Sequence, residues 1–179
     1  MRDSTIARNY AEALFDAGER AKLTEQFADL IEAVAGAIDA DERVRIVLES
    51  PRVHKEQKQA LLARALRGKA PDQFVRFLSA IIKRGRQGLI AAVSTEYLNL
   101  VDIKFNRVHA GITVAREPDE TLQREIRERL SRILGQEVIP HFSLEPGILG
   151  GLIVRVGDRV MDGSIRRKLL RLRKGMLTG

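Results

Sequence analysis

Residues 108–114, Val-His-Ala-Gly-Ile-Thr-Val, separate two kinds of pattern in the chain. Apolar residues occupy every second position from Val108 to Val114, which is the period-two pattern of a strand with one buried face. Upstream of this strand the apolar residues recur at helical spacing, whereas helical and strand patterns mix downstream of it. We therefore predict a mainly α protein, with an N-terminal six-helix bundle over residues 1–105 and a smaller α+β domain over residues 106–179.

Six amphipathic patterns precede the strand, and short breaks join them. Helices this short are marginal alone, so we expect them to pack as a bundle. Serine and threonine side chains can cap helix N-termini. We therefore predict a cap at Ser4 or Thr5 for the first helix and at Thr24 for the second. Gly68 and Gly85 suit the left-handed turn after a helix and are expected to end the fourth and fifth helices.

Downstream of the strand, a helix is predicted from Leu122 to Ile133, followed by Gly135 as its stop and by a second strand. The segment Gly150–Ile165 then reads Gly-Gly-Leu-Ile-Val-Arg-Val-Gly-Asp-Arg-Val-Met-Asp-Gly-Ser-Ile. It predicts two short strands joined by a tight turn, a second turn, and a capped final helix. The structural residues of this C-terminal motif are Gly150, Gly151, Gly157, Asp158, Asp162, Gly163 and Ser164.

The basic charge is concentrated near the C-terminal end. The chain of 179 residues carries a net charge of +7, and the segment Arg155–Lys174 holds eight basic residues against two aspartates. A local basic surface indicates an acidic protein partner, nucleic acid or anionic lipid. Because this segment lacks the aromatic residues on which nucleic-acid bases stack, a nucleic-acid-binding module is the alternative function and not the favoured one.

Groups that could perform chemistry are sparse. There are no cysteines, and His54, His109 and His141 stand far apart without a second ligand at helical spacing, so surface or structural roles are expected for them. The Gly68-Lys69 pair lacks the other residues of a phosphate loop, and the glycines of Gly147–Gly151 precede a strand instead of following one. We therefore predict no catalytic residue, no cofactor and no metal site, and an adaptor function in the cytoplasm.

The C-terminal motif closely resembles that of the delta subunits of F-type ATP synthases, relatives of the mitochondrial oligomycin-sensitivity-conferring protein. The segment Ala7–Phe15, Ala-Arg-Asn-Tyr-Ala-Glu-Ala-Leu-Phe, is similar to the opening helix of the same family, and Arg84-Gly85-Arg86 also fits. The resemblance extends over essentially the whole chain in length and domain order. Asn9 departs from the family pattern, since many relatives have proline there.

The resemblance implies a stator subunit without an active site, on the cytoplasmic face of the cell membrane and attached to that membrane only through the ATP synthase complex. Its N-terminal bundle is expected to bind the N-terminal helix of an alpha subunit, beside the neighbouring beta subunit of the catalytic head. The binding groove is implied between the first and fifth helices. Its candidate residues are Tyr10, Ala13, Leu14, Phe77, Ala80 and Ile81.

The same resemblance implies that the C-terminal domain meets the b-type subunit of the peripheral stalk. We hypothesise that a basic face on the last helix contacts acidic residues of that stalk. Such charges favour orientation and association rate more than affinity. The candidate residues of this face are Arg166, Arg167, Lys168 and Arg171.

Overall fold

The computed structural model describes residues 2–177, which form eight helices and four strands. The helices are α1 (Arg2–Ala21), α2 (Thr24–Ala40), α3 (Glu42–Glu49), α4 (Lys55–Leu66), α5 (Asp72–Lys83), α6 (Ile90–Lys104), α7 (Glu120–Leu134) and α8 (Ile165–Leu177). The strands are β1 (Arg107–Val114), β2 (Glu137–Leu144), β3 (Leu152–Val156) and β4 (Arg159–Asp162). The chain divides between Ile103 and Lys104 into two compact units. The predicted fold class, a helical bundle followed by an α+β region, is confirmed.

The first unit is a bundle of α1 to α6 with aromatic side chains at its centre. The rings of Phe27 and Phe74 lie 5.6 Å apart between centroids. Tyr97 is fully buried on α6, where its hydroxyl donates a hydrogen bond of 2.9 Å to the main-chain oxygen of Thr24. Since a buried hydroxyl is costly without a partner, this bond fixes α6 against the start of α2.

Two predicted helix caps are wrong. α1 already includes Ser4 and Thr5, so neither stands at its N-terminal boundary. Thr24 is the first residue of α2, and its hydroxyl donates to the carboxylate of Glu19. The cap at Thr24 fails because the connection between α1 and α2 is tight, with Lys22 in a left-handed conformation at φ of 58°. α2 therefore begins at Thr24 itself, one residue earlier than predicted.

The second unit is a four-stranded sheet in the order β2-β1-β3-β4. β1 and β2 run parallel with α7 as the connection between them, whereas β1–β3 and β3–β4 are antiparallel. The alternation predicted for β1 is confirmed, because Ala110, Ile112 and Val114 are buried. The predicted stop at Gly135 is also confirmed, with φ of 69° in the left-handed region. The core combines β1, α7, β2 and β3 residues: Ala110, Ile112, Val114, Ile126, Leu130, Val138 and Val154.

The C-terminal motif forms the β3–β4 hairpin and the start of α8. Gly157 makes the hairpin turn with φ of 54°. Gly151 has φ of 75°, and a Cβ atom there would lie 2.5 Å from the main-chain oxygen of Gly163. The backbone before β3 is therefore in direct contact with the backbone after β4. Ser164 immediately precedes α8 and caps it, because its Oγ accepts a hydrogen bond of 3.1 Å from the main-chain nitrogen of Arg167.

Candidate functional site

The groove predicted on the first unit has an aromatic pair at its centre. The rings of Tyr10 on α1 and Phe77 on α5 meet edge to face, with centroids 6.2 Å apart and an interplanar angle of 71°. Both side chains are half-buried, and the nearby alanines Ala13 and Ala80 are exposed. Small residues beside aromatic rings leave room for a helix to approach closely and provide apolar anchors for it.

Two of the six predicted groove residues lie elsewhere. Leu14 and Ile81 are each 1% exposed and belong to the core of the bundle. Their side chains point from α1 and α5 towards the other helices of the bundle, so a partner cannot reach them in this structure. The four other candidates, Tyr10, Ala13, Phe77 and Ala80, are accessible at the surface.

Two arginines extend this surface. The Nη1 atoms of Arg84 and Arg86 lie 3.4 and 3.2 Å from the hydroxyl oxygen of Tyr10, to which they donate. The guanidinium carbon of Arg86 also lies 5.6 Å from the centre of the Tyr10 ring, which is a cation–π distance. The sequence alone does not place Arg84-Gly85-Arg86 beside Tyr10, because their closeness depends on the packing of α1 beside α5.

The basic face predicted on α8 is exposed. Arg166, Arg167, Lys168 and Arg171 all face solvent in the second unit. Arg167 Nη1 lies 3.8 Å from Asp162 Oδ2. Hydrogen bonds from Ser164 to Asp162, helped by the positive charges of Arg167 and Arg171, lower the pKa of the Asp162 carboxyl below its usual value. Asp162 therefore stays ionised at the start of α8, where the helix dipole favours a negative charge.

The apolar residues of α8 are exposed as well, which the sequence patterns did not indicate. Ile165, Leu169 and Leu172 share a face, as predicted, but they are 43%, 52% and 65% exposed. An apolar helix face of this extent in solvent is typical of a binding surface.

A second apolar feature of the same unit is a cavity of about 620 Å³ beside α7. Leu122 and Ile133, the first and last residues of the predicted helix, are 45% and 72% exposed and line this cavity together with Leu149. Charged residues at its edge are Arg116, Glu125 and Arg129.

Within residues 2–177, no helix is both long and apolar enough to cross a membrane. The same residues contain no group of three or more histidine, cysteine, aspartate or glutamate side chains placed to hold a metal ion.

Comparison with known proteins identifies the family. A family model described as ATP synthase delta (OSCP) subunit matches residues 6–176. The chain belongs to this family. It is 48% identical to the ATP synthase subunit delta of Gemmatimonas aurantiaca over 98% of its own length and 95% of the relative. It is 31% identical to that of Desulforamulus reducens, with 99% of this chain and 98% of the relative covered.

The fold of this delta-family chain also occurs in a solved structure. A chain in the cryo-EM structure of the Toxoplasma gondii mitochondrial ATP synthase hexamer superposes with a TM-score of 0.66 at 20% identity, covering 96% of this chain and 97% of that one. As a delta-family member, the protein is a structural subunit of an ATP synthase, the complex that couples ATP synthesis to ion transport. It is part of the peripheral stalk, which is the stator of that complex.

Proposed function

We propose that this delta subunit is a two-ended connector without an active site of its own. Its first unit binds the N-terminal helix of an alpha subunit, close to a beta subunit, and its second unit binds the b-type subunit of the peripheral stalk. The connection prevents the catalytic head from turning with the rotor. The protein needs no cofactor for this role, and its attachment to the cytoplasmic face of the cell inner membrane is indirect, through the complex.

The observation that carries the proposal at the head end is the half-buried Tyr10–Phe77 pair, which joins α1 to α5 at the surface of the bundle. The Tyr10–Phe77 pair supplies a rigid apolar centre, and exposed Ala13 and Ala80 leave space beside it. A visiting amphipathic helix can place its apolar residues against such a centre. Arg86, stacked near Tyr10, provides a positive charge at the end of the groove for an acidic residue of that helix.

At the stalk end, the proposal rests on the combination of basic and apolar side chains on α8. Leu169 and Leu172 offer apolar area, which supplies most of the affinity of a protein interface. Arg167 and Arg171 orient an acidic partner before contact. A stator link must resist torque, and a nanomolar contact corresponds to about 12 kcal/mol of binding free energy.

The proposal is tested by calorimetric titration of the full chain with a peptide that copies the N-terminal helix of the same organism's alpha subunit. We expect one peptide to bind per chain with a dissociation constant in the micromolar range or tighter. A scrambled peptide of the same composition is the control. The absence of binding at micromolar concentrations would remove the head-end half of the proposal.

The alternative function, nucleic-acid binding through the basic end, gives a different dependence on salt. Binding through about six phosphates should weaken about a thousandfold between 50 and 200 mM salt. A protein contact with an apolar centre should weaken far less. Titration of the protein with duplex and single-stranded oligonucleotides at both salt concentrations therefore separates the two functions.

A further inference from the structure

Two histidines that stand 32 residues apart in sequence meet on the sheet of the second unit. His109 Nδ1 on β1 and His141 Nε2 on β2 are 2.7 Å apart, and both side chains are exposed. The two rings are stacked, with centroids 5.0 Å apart and an interplanar angle of 19°. Both histidines lie at the surface, as expected, but the sequence spacing did not indicate that they meet, because they belong to different strands.

The parallel register of β1 and β2 explains the meeting. His109 is paired with Ile139 and Gly111 with His141, so the two histidines are diagonal neighbours on the same face. That face is opposite the one covered by α7, because the buried Ala110 and Ile112 alternate with them. Gly111 has no side chain and leaves space beside the His141 ring.

Cross-strand contacts flank the pair on the same face of the sheet. Towards the start of the strands, Arg107 Nε and Glu137 Oε2 form an ion pair at 3.0 Å. Towards their ends, the hydroxyl oxygens of Thr113 and Ser143 are 3.1 Å apart. These cross-strand contacts on both sides fix the register that brings the histidines together.

The distance between the two nitrogens suits a metal chelate. Neutral imidazole is a common ligand of borderline transition metals. Two nitrogens bound at about 2.0 Å and at a right angle are about 2.8 Å apart, whereas tetrahedral coordination separates them by about 3.3 Å. The observed 2.7 Å is close to the first value. The χ2 torsion of histidine is soft, so the exposed rings can rotate out of the stacked arrangement to turn their lone pairs towards a metal ion.

We propose that His109 and His141 form a two-histidine binding site for a divalent transition-metal cation of tetragonal preference, with Cu²⁺ bound most tightly. To bind the metal, the neutral ring that donates the hydrogen bond would carry its proton on its other ring nitrogen, so that both facing nitrogens offer lone pairs. Cu²⁺ stands highest in the general order of affinities for nitrogen ligands, and it accepts two cis imidazoles with water in the other positions. The described residues 2–177 offer no cluster of three such ligands, so water or a partner's side chain completes the coordination.

The site is tested on the full-length chain without an affinity tag, because a histidine tag would bind the same metal. Calorimetric titration with CuCl₂, with glycine as a weak competitor in the buffer, measures stoichiometry and affinity. We expect one tight Cu²⁺ per chain, weakened about tenfold or more in both His109→Gln and His141→Gln. His54→Gln, which removes the third histidine of the chain, is the matched control and should leave the affinity unchanged.

Electron paramagnetic resonance provides an independent measurement. The spectrum of the Cu²⁺ complex should show coupling to two imidazole nitrogens in the unmodified protein and to one in each single variant. Circular dichroism confirms that the variants fold, as expected for two exposed positions. Equal affinities in the unmodified protein and the double variant His109→Gln/His141→Gln would overturn the proposal, and so would loss of binding in His54→Gln.

Discussion

The ring of Tyr10 on α1 packs edge to face against the ring of Phe77 on α5, with 6.2 Å between their centroids. This contact is the point at which the first and fifth helices come together at the surface of the bundle. The edge-to-face arrangement is favourable by about 0.5–1.5 kcal/mol beyond the area it buries. It also restrains both rings, so Tyr10 and Phe77 lose little side-chain entropy when a helix binds to them.

The exposed alanines beside this pair should determine access to the groove. Ala80→Arg places a long charged side chain where a visiting helix must approach closely. We expect it to weaken binding of the alpha N-terminal peptide at least tenfold, or about 1.4 kcal/mol, in calorimetric titration. Ala33→Arg, on the exposed face of α2, is the matched control and should bind like the unmodified protein. Equal affinities for both variants would contradict the groove assignment.

Leu14, one of the two buried residues predicted for the groove, should behave as a core residue. Leu14→Ala removes a side chain that is 1% exposed, so it should lower the free energy of unfolding by about 2–5 kcal/mol. Leu61→Ala, at a leucine that is 42% exposed, should cost about 1 kcal/mol or less. Urea denaturation measures both values. A small loss at Leu14 together with weakened peptide binding would show that Leu14 contacts the partner.

The basic face of α8 should affect stalk binding alone. The double charge reversal Arg167→Glu/Arg171→Glu is expected to slow association with a soluble b-subunit fragment and to weaken binding, most strongly at low salt, because the charges steer the encounter. Binding of the alpha peptide should be unchanged. Arg64→Glu/Arg67→Glu, at exposed positions in and just after α4, controls for the change in net charge. Unaltered stalk kinetics in the α8 variant would refute this assignment.

The glycine contact in the C-terminal motif predicts unequal effects of two similar substitutions. Gly157→Ala meets no atom within 4 Å and should cost about 1–2 kcal/mol through its left-handed backbone alone. Gly151→Ala has the same backbone penalty and also forces its Cβ against Gly163, so it should cost about 3 kcal/mol or more. Thermal and urea unfolding of the two variants gives the comparison, and equal losses would argue against the close contact.

The burial of the Tyr97 phenol predicts that the protein loses stability at alkaline pH. Burial, followed by the nearby Glu19 carboxylate, raises the pKa of its phenol above the ordinary value. A group with a raised folded-state pKa stabilises the protein below its unfolded-state pKa of about 10, and this contribution is lost as pH rises towards the folded-state value. Tyr97→Phe should therefore lose less stability between pH 9 and 11 than the unmodified protein.

At neutral pH the same variant should be about 1–2 kcal/mol less stable, because the hydrogen bond to Thr24 is missing. Tyr10→Phe removes the other tyrosine of the chain and should keep the alkaline loss. Urea denaturation at a series of pH values measures both effects. A parallel pH dependence in the unmodified protein and Tyr97→Phe would exclude Tyr97 as the cause.

Local signals were enough for the element types and for several boundaries. The period-two pattern of Val108–Val114 predicted β1, and Gly135 predicted the end of α7, because the pattern and the left-handed turn depend on neighbouring residues. The cap at Thr24 failed because the start of α2 is set by the short connection to α1. That connection depends on how the two helices pack.

Periodicity and motifs were sufficient to predict a helical bundle, a smaller α+β unit and the family to which the chain belongs. They could not predict which residues are accessible: Tyr10 and Phe77 lie at the surface, whereas Leu14 and Ile81 are in the core. The tertiary structure also brought His109 to His141 and left Leu172 of α8 in solvent. The physical reason is that periodicity is a property of each segment, while register and burial depend on the elements that pack against it.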